Sequence, residues 1–340
     1  MKVIITGGGG FIGSQLAAKL LERGSLVGPS GEQESIDSLV LFDAYFPPAV
    51  EALAAPVTAP LCTAPLCTAL LSGDIGDRDT VFNAIDRDDI AVFHLASMVS
   101  GECEKEFDEA MRVNFDGHRY LLEALRERSG TPRIVFASSV AAFGGAAMTD
   151  PVADSTKQTP QTTYGMTKVI GELMINDYSR KGFIDGRTAR LPTVIVRPGK
   201  PNAAASSWAS GMFREPLSGE TCYLPVHRDQ LHPVIGYRDV VDSFIALHEA
   251  DPASLGEDRS FGLPSHRVSV NEAMRVLQQV AGEKGINLGM VIDQPDPVIQ
   301  AIVDSWPTDT DGSRALKIGV PEPKSLAHIL RDYIADFLTT

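Results

Sequence analysis

Tyr164 and Lys168 stand four residues apart in Tyr164-Gly165-Met166-Thr167-Lys168, a spacing that puts a phenol and an ammonium on one face of a helix. Of the seven tyrosines, Tyr164 alone has a lysine four residues on. A phenol with a pKa of ~10 is a poor base at neutral pH. A neighbouring cation stabilises the phenolate and lowers that value, so the pair is suited to taking a proton from a hydroxyl. The same ammonium can also hold a ribose. Upstream, Ser138-Ser139 close the apolar run Arg133–Ala137. Either hydroxyl could hold the reacting oxygen beside Tyr164, and either could instead cap the following turn.

A second group of residues suits a dinucleotide. Thr6-Gly7-Gly8-Gly9-Gly10-Phe11-Ile12-Gly13 lies between the apolar Val3-Ile4-Ile5 and the helical pattern Phe11–Arg23. Glycines there allow a tight turn, let backbone N–H groups approach a pyrophosphate, and leave the positive end of a helix dipole facing it. The run satisfies two spacings, Gly8-x-Gly10-x-x-Gly13 and the wider Gly7-x-x-Gly10-x-x-Gly13. Gly7, Gly10, Phe11, Ile12 and Gly13 are the candidate cofactor contacts of this loop. Asp43, at the end of the second apolar run, can accept hydrogen bonds from ribose hydroxyls and repels a 2′-phosphate, which favours NAD over NADP. Its offset from Gly13 is 30 residues, against the usual ~20. The polar stretch Gly28–Asp37, expected as a surface insertion, accounts for the excess. Asp74-Ile75, after the third apolar run, is placed to meet the adenine edge.

These residues need elements to carry them. Short apolar runs at Val3–Ile5, Leu39–Phe42, Ala69–Leu71, Ala91–Leu95, Arg133–Ala137 and Thr193–Val196 read as six strands. Helical patterns intervene at Phe11–Arg23, around Val81 and Ile85, at Glu104–Arg128 and at Thr163–Arg180. Nearly continuous apolar strands alternating with helices predict an α/β fold, a Rossmann-type doubly wound parallel sheet covered on both faces. After Pro198 the alternation breaks down, and helices are expected at Val240–His248, Val270–Val280 and Leu326–Leu338. The expected division is a nucleotide-binding domain over 1–199, with 231–264 returning to it. A smaller C-terminal substrate lobe would comprise 200–230 and 265–340. Thr58–Cys62 is repeated as Thr63–Cys67; a single repeat reads as a duplication absorbed in a loop, not a solenoid.

Composition narrows the setting. The chain has 340 residues with 30 Lys plus Arg against 44 Asp plus Glu, a formal charge of −14. With a pI near 4.9, it lacks the basic face that nucleic acid requires. Four cysteines make no disulfide framework, so reduced thiols and a cytoplasmic location are expected. No signal peptide is visible. The charge-poor stretch Ala52–Ser72 contains Pro56, Pro60 and Pro65, which a regular membrane helix does not tolerate. The expected partners are a small-molecule substrate and, at most, a second copy of the chain in a homodimer. No metal ion is expected.

Together, Thr6–Gly13, Asp43, Asp74-Ile75, His94-Leu95-Ala96, Asn114, Ser138-Ser139…Phe143-Gly144 and Tyr164–Lys168 resemble the extended short-chain dehydrogenase/reductases over essentially the whole chain. The resemblance implies NAD as cofactor. It also selects Ser139, through the register of Phe143-Gly144, as the catalytic hydroxyl beside Tyr164 and Lys168. It further implies that Leu95 and Ala96 line the nicotinamide side, that Asn114 supports the active site, and that Pro198 contacts the cofactor.

Sugar-nucleotide epimerases of that family commonly carry Arg-Tyr-Phe-Asn after the sixth strand. This chain has Arg197-Pro198-Gly199-Lys200, then Pro201-Asn202 and Ala205-Ser206-Ser207. An ammonium at Lys200 suits a small carboxylate. With Arg190–Thr193 and Arg214–Leu217, these segments look like the D-erythronate dehydrogenase group, often labelled nucleoside-diphosphate-sugar epimerase by fold alone. That likeness implies NAD-dependent oxidation of a small sugar acid, D-erythronate at C2, with Tyr164 as base. Ser139, Tyr164, Lys200, Asn202, Ser207 and Arg214 would then bind substrate. The alternative is a UDP-sugar 4-epimerase. A non-catalytic NAD-sensing module is a third reading, and the intact Ser139, Tyr164 and Lys168 argue against it.

Overall fold

A computed structural model describes residues 1–54, 67–201 and 204–338. Seven strands build the central sheet: β1 (Lys2–Thr6), β2 (Ser38–Asp43), β3 (Cys67–Ser72), β4 (Ile90–His94), β5 (Arg133–Ser139), β6 (Asp185–Leu191) and β7 (Ser260–Gly262). Their spatial order is β7-β6-β5-β4-β1-β2-β3, and every neighbouring pair is parallel. Alternate residues serve opposite faces, as the period of two demands. Val3, Ile5, Leu39, Leu41 and Phe93 pack with Leu16, Leu20 and Phe244. Ile4, Val40, Phe42 and Val92 pack with Val81, Leu121 and Ile175. Helices Phe11–Arg23 and Tyr237–Glu249 therefore cover one face, and Arg78–Ala84, Gly117–Arg126 and Thr163–Arg180 cover the other. This is a Rossmann-type doubly wound sheet. Strand order reverses between β1 and β4, and the crevice beyond their carboxyl ends is where such sheets bind ligands.

The sixth strand differs from expectation. Thr193–Val196 is not in the central sheet. The place beside β5 belongs to β6, whose sequence Asp-Gly-Arg-Thr-Ala-Arg-Leu lacks the apolar look of a buried strand. Its charges are buried because each is met. Arg187, fully buried, donates to the carbonyls of Asp185 at 2.8 Å and Ala250 at 3.0 Å. Arg190 donates to Glu172 at 2.7 Å and Asp154 at 3.1 Å. Thr193–Ile195 instead runs parallel to Leu231–Gly236, which pairs antiparallel with His266–Ser269 in a separate sheet. Around that sheet lies a further core, with Trp208, Phe213, Leu277, Leu330 and Tyr333. Ala315 and Val320, near the chain end, pack instead with Val240 and Phe261 in the nucleotide-side core.

Two further segments depart from the sequence reading. Within the polar insertion, Gln33–Ser35 pairs antiparallel with Ser25–Val27, so the excess length before β2 is a hairpin. The long helix expected over Glu104–Arg128 is instead broken into Ser100–Cys103, Phe107–Ala110, a π-helical stretch Met111–Asp116, and Gly117–Arg126. That wide turn carries Asn114. Thr163–Arg180 forms the helix expected. The duplicated segment from Thr58 to Leu66 lies outside the described residues. Cys103 and Cys222 are free, buried thiols. Among the described residues, no helix is long and apolar enough to cross a membrane.

The buried Arg190–Glu172 pair makes a stability test. Both side chains are nearly fully buried, and Arg190→Ala leaves a carboxylate in the interior without its cation. Breaking such a pair costs about 3–5 kcal/mol, and urea unfolding should read a loss of that size. A loss below about 1 kcal/mol would show that the pair behaves as a surface bridge.

Candidate active site

The glycine loop leaves β1 at the reversal of strand order. Gly7 has φ +73°, and a Cβ on it would lie 2.8 Å from the backbone nitrogen of Ala96. A Cβ on Gly13 would lie 2.2 Å from the Gly7 carbonyl oxygen. The loop and the first helical turn thus approach as closely as backbone allows. The Phe11–Arg23 helix begins after Gly10 with no side-chain cap and no acidic residue in its first turn. Its first N–H groups and the positive end of its dipole remain available to a pyrophosphate, so the cradle fits a dinucleotide. At the lip, Asp43 Oδ2 accepts the Gly9 N–H at 2.9 Å. The Phe11 ring packs on Tyr237 and Phe337, at centroid distances of 5.2 and 6.0 Å, and so anchors the helix. Asp74 accepts the Gly76 N–H at 2.8 Å and pairs with Arg112 at 2.7 Å. Ile75 is buried beside it.

Beyond β4, the Leu95 N–H donates to the Thr6 carbonyl at 3.0 Å and the Ala96 N–H to Thr6 Oγ1 at 3.2 Å. These bonds hold the second wall of the crevice against the glycine loop. Asn114 clamps the next turn: its Oδ1 accepts the Met98 N–H at 2.7 Å and its Nδ2 donates to the Met98 carbonyl at 3.3 Å. Nδ2 also reaches Thr167 Oγ1 at 3.4 Å, which ties this wall to the helix that carries Tyr164 and Lys168.

At the end of β5 the two serines part, as strand alternation requires. Ser138 Oγ donates to Glu172 at 2.5 Å, inside the protein. Ser139 Oγ accepts the Ala141 N–H at 3.1 Å, and its side chain lies near enough to Tyr164 to favour the phenolate. Burial pushes the Tyr164 phenol up to about 12, with Ser139 pulling the other way. Lys168 Nζ donates to the Ala137 carbonyl at 2.9 Å and lies 5.3 Å from the Tyr164 ring centre. Burial lowers the Lys168 ammonium to about 8, opposed by Cys103 and Glu172. Beneath it, burial and the Lys168 charge hold His118 down to about 3, and burial foremost holds His94 well below its usual range. Both rings are therefore neutral.

Ser139, Tyr164 and Lys168 line one cavity of about 560 Å³, with Ile12 and Leu95 from the nucleotide side and Thr193 from the far side. It closes against Ile302 and Trp306, brought in from near the chain end.

Two of the expected substrate contacts, Lys200 and Arg214, are not among the described residues that line this cavity. Lys200 is exposed, and its carbonyl accepts from Arg197 at 3.0 Å. Arg214 is buried, donating to the Arg197 carbonyl at 2.9 Å and to Glu215 at 2.6 Å. Pro198 is likewise not among the described lining residues. Ser207 opens the helix Ser207–Leu217, next to Ser206, which does line the cavity. Asn202 lies outside the described residues.

Sequence reasoning missed Glu172, although its position four residues after Lys168 was a readable signal. It also missed Thr193 as a lining residue, and Ile302 and Trp306, for which the sequence carries no local signal. Among the described residues, no group of three or more His, Cys, Asp or Glu could hold a metal ion.

Comparison with known proteins agrees with this geometry. The model of the NAD dependent epimerase/dehydratase family matches residues 3–258. A D-erythronate dehydrogenase of Cupriavidus necator is 41% identical, across 99% of this chain and 98% of that protein. A D-erythronate dehydrogenase of Haemophilus influenzae is 37% identical, across 98% of this chain and 99% of that protein. Among solved structures, a nucleoside-diphosphate-sugar epimerase from Agrobacterium tumefaciens superposes with a TM-score of 0.86 at 34% identity, covering 99% of this chain and 94% of that one. Likeness of this extent is likeness of family, and the chain belongs to the NAD dependent epimerase/dehydratase family.

Proposed function

We propose that the protein oxidises a small sugar acid, D-erythronate at C2, to the 2-keto acid with NAD. The observation that carries this reading is the near full-length similarity to two D-erythronate dehydrogenases. The Ser139, Tyr164 and Lys168 side chains in one cavity beside the glycine loop supply matching chemistry. Gly7, Gly10 and Gly13 with the first turn of the Phe11–Arg23 helix hold the pyrophosphate, and Asp43 takes the ribose hydroxyls. Leu95 and Ala96 flank the nicotinamide. Tyr164, as phenolate, takes the C2 hydroxyl proton, and Ser139 donates a hydrogen bond to that oxygen. Lys168 stabilises the phenolate and reaches the ribose. When bound, the oxidised nicotinamide supplies the hydride acceptor and a positive charge that opposes the rise in the phenol's pKa.

The direct test is to offer NAD with a panel of sugar acids and, separately, nucleoside-diphosphate sugars. Net NADH from D-erythronate is the expected result. Interconversion of a nucleotide sugar with no net NADH would select the epimerase instead.

The base has its own signature. Because the phenol is raised, the phenolate fraction grows with pH, so kcat/KM for oxidation should climb from neutral into the alkaline range. Tyr164→Phe should lower kcat by ~10²- to 10⁴-fold while NAD binding stays within a few fold. Retention of most activity would remove Tyr164 from the mechanism. Asp43→Ala should weaken NAD binding and relax discrimination against NADP, since an acceptor and a repulsive charge leave together. A wild-type enzyme already indifferent between NAD and NADP would contradict the role given to Asp43.

A further inference from the structure

Thr193 begins the short strand that carries the chain from β6 into the second core, and it lines the cavity that holds Ser139 and Tyr164. Its Oγ1 lies 2.6 Å from Nε2 of His232. His232, on the neighbouring strand, is 3% exposed. Its ring packs near Trp208 and Trp306, with centroids 5.3 and 5.6 Å away. Burial pulls its pKa down to about 4, so the ring is neutral and carries one N–H. Its Nδ1 is buried with no hydrogen-bond partner among the described residues.

Those facts choose the tautomer. A buried N–H without an acceptor is rarer and costlier than a bare acceptor nitrogen. The proton therefore sits on Nε2 and is donated to Thr193, leaving Nδ1 bare. Thr193 Oγ1 then receives a hydrogen bond from inside the protein. Its own hydroxyl proton has no acceptor among the hydrogen bonds of the described residues and is free to be donated elsewhere.

The cavity says what should accept it. Of the described residues lining it, Lys168 alone is cationic, and its ammonium is turned to the Ala137 carbonyl. Glu104, the one acid among the described lining residues, accepts the Thr163 N–H at 2.7 Å. Lys200 and Arg214 are not in the lining. A carboxylate entering this cavity must therefore be met by neutral donors. An ionised carboxylate is acceptor-only, the complement of a hydroxyl whose proton is its free function.

We propose that Thr193 is a substrate-binding residue that donates its hydroxyl proton to the carboxylate of the sugar acid, and that His232 is the positioning residue that fixes this hydroxyl. The proposal rests on the sugar-acid reading of the site.

The test compares steady-state kinetics of the full-length enzyme with NAD on D-erythronate and on D-erythronamide, in which a neutral amide replaces the carboxylate. Thr193→Val removes the hydroxyl at nearly constant shape. A lost hydrogen bond to a charged group should raise KM for the acid about 10- to 100-fold, with kcat and NAD affinity within a few fold. The amide should lose far less. Thr193→Ser should keep the wild-type KM within a few fold, which guards against a folding defect. His232→Gln, which can still present an N–H, should retain more of the acid affinity than His232→Leu. An unchanged KM for the acid in Thr193→Val, equal losses on acid and amide, or a parallel loss of NAD affinity would each overturn the proposal. A wild-type enzyme that makes no NADH from any sugar acid overturns the sugar-acid reading and this proposal together. An active wild type with an unaffected Thr193→Val overturns the role of Thr193 alone.

Discussion

The Glu172 carboxylate, almost wholly buried, is the point on which the site depends. Arg190 of β6 donates to both its oxygens, Ser138 of β5 donates to one, and Gln158 to the other at 2.5 Å. An anion taken out of water survives only with such compensation. Here the compensation joins the Thr163–Arg180 helix to two adjacent strands of the sheet. Glu172 sits one helical turn beyond Lys168, and Ser138 is the residue before Ser139. Turning Ser138 inward to Glu172 turns Ser139 outward to Tyr164. One buried charge thereby sets the relative register of the hydroxyl, the phenol and the ammonium.

Electrostatics around that array follows from burial. The Tyr164 phenol is raised and the Lys168 ammonium lowered, both chiefly by loss of water. A neutral phenol beside a cation that has come near its own titration is a resting state. A bound oxidised nicotinamide would supply a positive charge that favours the phenolate of Tyr164. Neutral His94 and His118 add no competing charge beneath. The apolar walls that impose these shifts also leave a substrate carboxylate few cations to meet, which is why we assign its recognition to a neutral hydroxyl.

How much of this was legible in the sequence depended on whether the signal was local. The glycine run and the Tyr164–Lys168 spacing were readable because a tight turn and one helix face each lie within a few residues. Ser138 and Ser139 could not be separated from residues alone; the difference lies in Glu172, on a helix beyond the next turn. The sixth strand was misplaced because Arg187 and Arg190 make β6 look like surface. Their partners Ala250, Asp154 and Glu172 arrive from three other parts of the chain. Lys200 was read as a substrate contact following that misplaced strand. It falls instead on an exposed turn after the small sheet. Thr193 and Trp306 reach the cavity only through tertiary packing, which no periodicity reports.

The chemistry proposed for Tyr164 and Ser139 is addressed to one carbon, and isotope transfer reads that carbon directly. D-erythronate carrying deuterium at C2 is oxidised with NAD, and the reduced nicotinamide is analysed for label. Deuterium on the nicotinamide, with a primary isotope effect on kcat/KM, is the expected result. Reduced nicotinamide free of deuterium would contradict it, since the hydride would then have come from another position.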